Sequence, residues 1–354
     1  MRDRPVAIVG TVGVPARYGG FETLAEQLCA HVQPEDVTFI IYCERRSYPV
    51  GERTSEFLRH RRVFLPLRAN GVMSLFYDAL ALLHATMIAR VANIYLLGYS
   101  GAWLLPLLRL LRPSVNFIVN VDGMEWRRDK FSRSAKRLLK ALEYLAARWG
   151  NTIIADNAAL ANLFQKRYRR APVVIAYGGD HTLVAGSSPE MAGRHYLAIA
   201  RIEPENNTLA ILEGCRLAGV PLAFVGNWSA NDYGRDLRRR YGNEPGFTLL
   251  DPIYAQVQLD PWRRQAIGYI HGHSVGGTNP SLVEALFHTD YLLSFNCSFN
   301  RASLFDAGEY FVDAPTLAAR LRRPPVPIPA AQLRSLRDRY RWSQIAADYC
   351  ALLK

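Results

Sequence analysis

A chain of 354 residues, 49% hydrophobic and 21% charged, can bury the cores of two domains and is neither disordered nor fibrous in composition. Five scattered cysteines without C-x-x-C spacing exclude a disulfide scaffold, argue against a structural zinc site and suit a reducing compartment. The net charge of +12 favours an anionic partner, although no nucleic-acid module or aromatic platform is legible.

From the N-terminus, Val6 to Gly10 reads as a short buried strand and Thr11 to Gly20 as a glycine-rich loop. Phe21 to Leu28 has helical spacing, with Leu24 and Leu28 on one face. Strand, glycine loop and helix in that order form the phosphate-cradling opening of a nucleotide-binding half-fold. The loop is not G-x-G-x-x-G, and a Gly-Gly pair before a helix also serves as a plain turn. Further strands are expected at 37–43, 93–97, 115–121, 152–156 and 172–176, with helices near 21–32, 73–90, 102–111, 133–149 and 157–168. Two apolar stretches, 72–89 and 91–111, approach bilayer-spanning length. Asp78 and His84 interrupt the first, and Gly98, Gly101 and Pro106 the second, so both read as buried core helices, the second preceded by a strand. Asp122 follows a buried strand and either faces a cleft or makes an Asx turn before Gly123. The 133–149 helix carries Arg133, Lys136, Arg137 and Lys140 opposite an apolar stripe. That side is either a solvated face or a surface for acidic lipid headgroups.

Gly178-Gly179-Asp180 closes the first series and Gly186 to Pro189 reads as a linker. A second alternation follows, with strands at 196–200, 222–225, 248–250, 266–270 and 291–295. The fold class is therefore α/β, two Rossmann-like domains with parallel sheets facing across a cleft. The domains are expected at 1–185 and 186–335, with a C-terminal helix in 336–354 packing back on the first. In the second series, His271 to Ala285 runs from a strand end through Gly276-Gly277 into a helix capped by Thr278 or Asn279, with Pro280 at its first position. Unpaired amides at such a helix start receive an anion, and Glu284, one turn on, is placed for ribose hydroxyls. A sugar nucleotide is the ligand this pattern suggests. His271 and His273 have metal-like spacing but no cysteine or carboxylate beside them, so no metal site is assigned; His273 reads as a contact to the diphosphate or sugar.

These motifs resemble those of glycosyltransferases of family 4, which have the GT-B fold, and especially a bacterial rhamnosyltransferase-like subgroup of surface-polysaccharide biosynthesis. The segments that carry the resemblance are Gly10 to Thr23, Asn120 to Arg128, Ile154 to Asn157, Ala176 to His181, Ala200 to Asn207, and Gly272 to Ala285. The resemblance implies retaining, metal-independent transfer of a sugar from a nucleoside diphosphate to a hydroxyl. It implies dTDP-L-rhamnose as co-substrate, no cofactor, and a lipid-linked saccharide or oligosaccharide acceptor. It points to Asp122, Arg201 and Glu284 as catalytic residues. The donor is expected on Gly19, Gly20, Arg201, His273, Gly277, Thr278, Asn279, Ser281, Leu282 and Glu284, largely through backbone amides. The acceptor is expected near Tyr18, Glu22, Glu125, Trp126 and Arg127, each of which has an alternative structural role. Many relatives carry a glutamate where Gly276 stands and many a lysine where Asn206 stands; without the lysine, Arg201 has more of the diphosphate charge to neutralise. The expected location is the cytoplasm, peripherally on the inner face of the cytoplasmic membrane. Rival readings are a UDP- or GDP-sugar transferase, a sugar-nucleotide epimerase, and a membrane-bound nucleotide-binding scaffold without catalysis.

Overall fold

Short, almost wholly apolar strands alternate with helices along the chain, and both series form parallel sheets in this computed structural model, which describes residues 5–17, 19–33, 35–121, 123, 126, 131–185 and 193–353. The first sheet comprises β1 (Val6–Val9), β2 (Phe39–Glu44), β3 (Glu56–Phe57), β4 (His60–Leu65), β5 (Asn93–Leu97), β6 (Asn116–Val121), β7 (Thr152–Ala155) and β8 (Val173–Val174). Its order is β3-β4-β2-β1-β5-β6-β7-β8, parallel except for the β3/β4 hairpin. Continuous burial of β1, β2, β5 and β6 matches a sheet covered on both faces. The crossovers contain α1 (Gly20–His31), α2 (Ser74–Leu83), α3 (Leu105–Leu111), α4 (Arg133–Trp149) and α5 (Ala158–Tyr168). Ser132 caps α4 by accepting the Ala135 N–H, and Asn157 caps α5 by accepting that of Ala159.

No strand is expected from the sequence at the β3/β4 hairpin, where His60, Arg61 and Arg62 interrupt the apolar pattern. Arg62 is in fact buried, its guanidinium donating to the carbonyls of Val14 (2.9 Å), Glu52 (2.7 Å) and Thr54 (3.0 Å). The two apolar stretches expected in the core are only partly buried. A 3-10 turn at Gly71–Met73, α2 and a π turn at His84–Ile88 form one continuous rod, and a 3-10 turn at Ser100–Leu104 precedes α3. Only the inner sides are buried. Tyr77, Asp78, Ala81, Leu82 and Thr86 pack inward, while Phe76, Leu80, Leu83, Ile88, Leu107 and Leu110 are exposed. Apolarity on both sides of a helix looks like core in the sequence, but here the sheet covers one side only.

The second sheet comprises β9 (His195–Ile199), β10 (Leu222–Val225), β11 (Phe247–Leu250), β12 (Ala266–His271), β13 (Leu292–Phe295) and β14 (Glu309–Phe311). It is parallel throughout, in the order β11-β10-β9-β12-β13-β14. Its helices are α6 (Thr208–Ala218), α7 (Asp232–Tyr241), α8 (Gln256–Arg264), α9 (Pro280–Ala285), α10 (Ser298–Leu304), α11 (Ala314–Leu321) and α12 (Ala330–Arg339). A core around Ile211, Leu212, Phe224, Trp228, Leu293 and Leu317 packs α6, α7 and α11 on this sheet. A last helix, α13 (Trp342–Cys350), packs on α1. There Tyr95 Oη donates to Tyr349 O at 2.7 Å and Asn120 Nδ2 donates to Tyr349 Oη at 2.7 Å.

The chain divides into two units, one of residues up to Tyr177 with those from Trp342 onward, the other Gly178–Arg341. The break thus falls before the expected border at 185. The segment after Tyr177 is tied into the second unit, where Gly179 N–H donates to Tyr340 O and the Thr182 hydroxyl meets His288 Nε2, both at 2.9 Å. α12 also belongs to the second unit, so the C-terminal return is α13 rather than the whole of 336–354.

Candidate functional site

Both sequence motifs lie where their sheets reverse strand order. In the first sheet the chain leaves β1 toward β2 on one side, with β5 on the other; in the second it leaves β9 toward β10, with β12 on the other. Loops at the carboxyl ends of such strand pairs diverge and open a crevice, the usual ligand position in parallel α/β sheets.

At the β9/β12 reversal two loops are stitched together. Asn206 Nδ2 donates to Arg201 O (2.7 Å), and Asn206 Oδ1 meets His273 Nδ1 in a short contact. Asn207 Nδ2 donates to Gly272 O (2.8 Å), and Ser274 donates through N–H and Oγ to Glu205 O (3.1 and 2.7 Å). Asn300, buried in α10, holds His273 O at 2.8 Å. This close stitching requires glycine at 272, since a Cβ there would stand 2.1 Å from Asn206 O. Asn206, where a lysine was expected in relatives, is buried and orients His273 rather than reaching outward. The Arg201 guanidinium is exposed, its Nε 3.9 Å from Glu203 Oε2. Arg201 and His273 are thereby held on joined loops.

The turn that follows is compact. Gly276 has φ +126°, a conformation open to glycine, and a Cβ there would lie 3.2 Å from His273 Nε2. No described residue accepts a hydrogen bond from the amides of Gly276 or Gly277. Thr278 is buried, and Asn279 caps α9 as expected, Oδ1 accepting from Ser281 N–H at 3.1 Å. Leu282 N–H donates to Asn279 O (3.1 Å), so the amides of Ser281 and Leu282 are already engaged by the cap. The backbone donors left in the turn are thus the Gly276 and Gly277 amides, not those within the helix.

Glu284 is mostly buried and paired. Its Oε2 accepts from Arg263 Nη2 at 2.8 Å, and Oε1 lies 3.8 Å from His181 Nε2. Burial pushes its carboxyl up, against the pull of Arg263, and the same burial lowers Arg263. The guanidinium nonetheless stays charged at neutral pH. Burial and the neighbouring Arg263, Arg337 and His181 hold His288 down at about 3, so it is neutral. A cavity of about 10 Å³ lies beside the pair, lined by Arg263, Tyr269, Ser281 and His288 among others. It has room for about one water and is far too small for a nucleotide. Arg263 and His288 escaped the sequence reading; Arg263 stands in a polar helix with no motif around it.

In the first unit, Gly19 has φ +122° at the N-cap of α1, and Gly20 begins the helix. Glu22 is buried, its Oε2 accepting Arg17 N–H at 3.1 Å, while Glu26 Oε2 accepts Ala16 N–H at 2.9 Å. Both carboxylates therefore pin the glycine loop. Trp126 Nε1 donates to buried Glu143 Oε2 at 2.9 Å, and Lys140 Nζ and Arg167 Cζ lie 4.4 and 4.7 Å from its ring centroid. This is an anchored indole with cations over its π face. Tyr18, Asp122, Glu125 and Arg127 lie outside the described residues. Among the described residues no three His, Cys, Asp or Glu side chains group as metal ligands.

The family described as "Domain of unknown function (DUF1972)" matches residues 3–180. No protein of curated function matches the sequence. Among solved structures, sucrose-phosphate synthase from Thermosynechococcus elongatus is 13% identical, with a TM-score of 0.75 over 99% of this chain and 98% of that one. Anabaena HepE, in complex with UDP and glucose, is 13% identical with a TM-score of 0.71 over 98% of both chains. The lipopolysaccharide outer core galactosyltransferase WaaB is 12% identical with a TM-score of 0.67, again over 98% of both. The fold is that of the GT-B glycosyltransferases.

Proposed function

Since the chain belongs to the family described as Domain of unknown function (DUF1972), we propose that this member is a retaining, metal-independent glycosyltransferase of family 4 that builds a cell-surface polysaccharide. The donor is dTDP-L-rhamnose and the acceptor a hydroxyl of a lipid-linked saccharide, met at the inner face of the cytoplasmic membrane. One observation carries the reading: Arg201 and His273 stand on loops stitched together at a strand-order reversal, followed by free turn amides and then Glu284. That sequence of groups suits a sugar nucleotide from diphosphate to ribose.

In this reading the Arg201 guanidinium and the Gly276 and Gly277 amides receive the diphosphate, and Glu284 accepts from the ribose hydroxyls. The bond that breaks joins the anomeric carbon to the leaving phosphate, and negative charge grows on that phosphate. Fixed donors aimed at the growing charge supply the main stabilisation. The leaving phosphate oxygen takes the acceptor hydroxyl proton while the new glycosidic bond forms on the same face, so no protein base is needed. Asp122 orients the acceptor hydroxyl or donor sugar.

A UDP-sugar is the second reading, favoured by the UDP and glucose held by HepE, a protein of the same fold. Incubating the protein with dTDP-rhamnose, UDP-glucose or UDP-galactose, a lipid-linked acceptor extract and a chelator tests both. Acceptor-dependent dTDP release is expected; UDP release alone would overturn rhamnose, and no release from any donor would overturn transfer.

A further inference from the structure

We infer that the outward sides of α2 and α3, flanked by the basic side of α4, form a docking surface for an anionic lipid bilayer. The inference stands on the first unit alone and does not depend on the identity of the donor.

Along the rod from Gly71 to Ile88 the outward positions recur at helical spacing, and the large ones are all apolar: Val72, Phe76, Leu80, Leu83 and Ile88. Val72 and Ile88 are 76% and 72% exposed, so these side chains stand in solvent. The polar groups of this rod point the other way. Asp78 is buried against Gly101, the Tyr77 hydroxyl donates to Thr11 O at 3.1 Å, and the Thr86 hydroxyl donates to Leu82 O at 2.7 Å. The outer side of this rod is thus apolar as the inner one is, where a soluble surface helix carries polar side chains. The neighbouring segment repeats the pattern: Trp103, Leu107, Leu110 and Leu111 are exposed, with Leu110 at 77%. The two are locked side by side, Ser74 Oγ donating to Ser100 Oγ at 3.1 Å and Trp103 Nε1 to Leu75 O at 3.2 Å. An apolar patch of this continuity marks an interaction surface.

Charge identifies the partner. Residues 66–121 contain one acid, the buried Asp78, against four arginines: Arg68, Arg90, Arg109 and Arg112. α4, packed beside α3, exposes Arg133, Arg137, Lys140 and Arg148, and its one acid, Glu143, is buried. Every exposed charge on these segments is therefore positive. Apolar side chains rimmed by arginine and lysine suit the interface of an anionic membrane, where an exposed Trp also sits well. The rod has the length and composition to cross a membrane. Its inner side, however, is hydrogen-bonded to the protein, so it lies in the interface plane.

The full chain is sedimented with vesicles of phosphatidylcholine, with and without phosphatidylglycerol. Binding is expected only with phosphatidylglycerol, weakening as salt rises. Phe76→Ser/Leu80→Ser/Leu110→Ser should weaken it at least about tenfold, and Arg112→Gln/Arg137→Gln about fivefold per arginine. Both variants should keep wild-type thermal unfolding and dTDP titration, which separates this surface from the donor site. Wild-type protein that stays in the supernatant with both lipids overturns the proposal. So does vesicle binding that survives the apolar substitutions, or a wild-type dimer in light scattering that those substitutions convert to monomer.

Discussion

Replacing Glu284 by alanine strands the Arg263 guanidinium. Arg263 is 4% exposed and holds Glu284 Oε2 at 2.8 Å, with Gln256 Oε1 as its other side-chain partner at 2.5 Å. Removing one member of a buried ion pair costs about 3–5 kcal/mol, because the remaining charge loses its compensation. For a unit of this size each kcal/mol lowers the midpoint by about 2–4 °C, so Glu284→Ala should unfold about 6–20 °C below wild type. Glu284→Gln keeps an oxygen for the guanidinium and should lose much less, while still weakening ribose binding. Arg263→Met/Glu284→Leu removes both charges and should recover part of the loss. Thermal unfolding by circular dichroism, paired with nucleotide titration, separates the two roles. An alanine variant melting within about 2 °C of wild type would refute the pairing as a source of stability.

Burial raises the Asp78 carboxyl to about 8. The folded chain thus keeps a proton that the unfolded chain loses above its ordinary carboxylate range, and stability should fall as pH rises toward 8. The fall should be on the order of a few kcal/mol; Asp78→Asn should flatten it and melt higher than wild type at pH about 8, and an unchanged slope would contradict the burial argument. Gly272→Ala brings a Cβ to 2.1 Å from Asn206 O and should cost about 1–3 kcal/mol, weakening nucleotide binding by separating the loops. Wild-type binding in that variant would mean that the stitching is dispensable. Tyr349→Phe leaves the buried Asn120 amide without its acceptor and should lower stability by about 1–3 kcal/mol, read by denaturant unfolding.

Much of the architecture was legible because parallel strands buried on both faces are mostly apolar runs, as in Phe39–Glu44 and Asn116–Val121. Arg201, His273 and Glu284 stood out because glycine turns and strand ends surround them. Their partners did not. Asn206 reaches His273 across 67 positions, and no local spacing reports that contact. Arg263 binds Glu284 from a separate helix, and Glu143 anchors Trp126 from the middle of what reads as a basic helix face. The exposure of α2 and α3 was misread for a related reason. Composition reports how apolar a helix is, whereas only tertiary structure reports how many of its sides are covered.

The proposed function requires a nucleoside diphosphate bound over the joined loops, with its ribose on Glu284. Calorimetric titration of wild-type, Arg201→Ala and Glu284→Gln proteins with dTDP, UDP and GDP, in chelator, tests it most directly. Binding led by dTDP and weakened by both substitutions is predicted. Wild-type affinity in both variants, or no binding of any nucleotide, would contradict it.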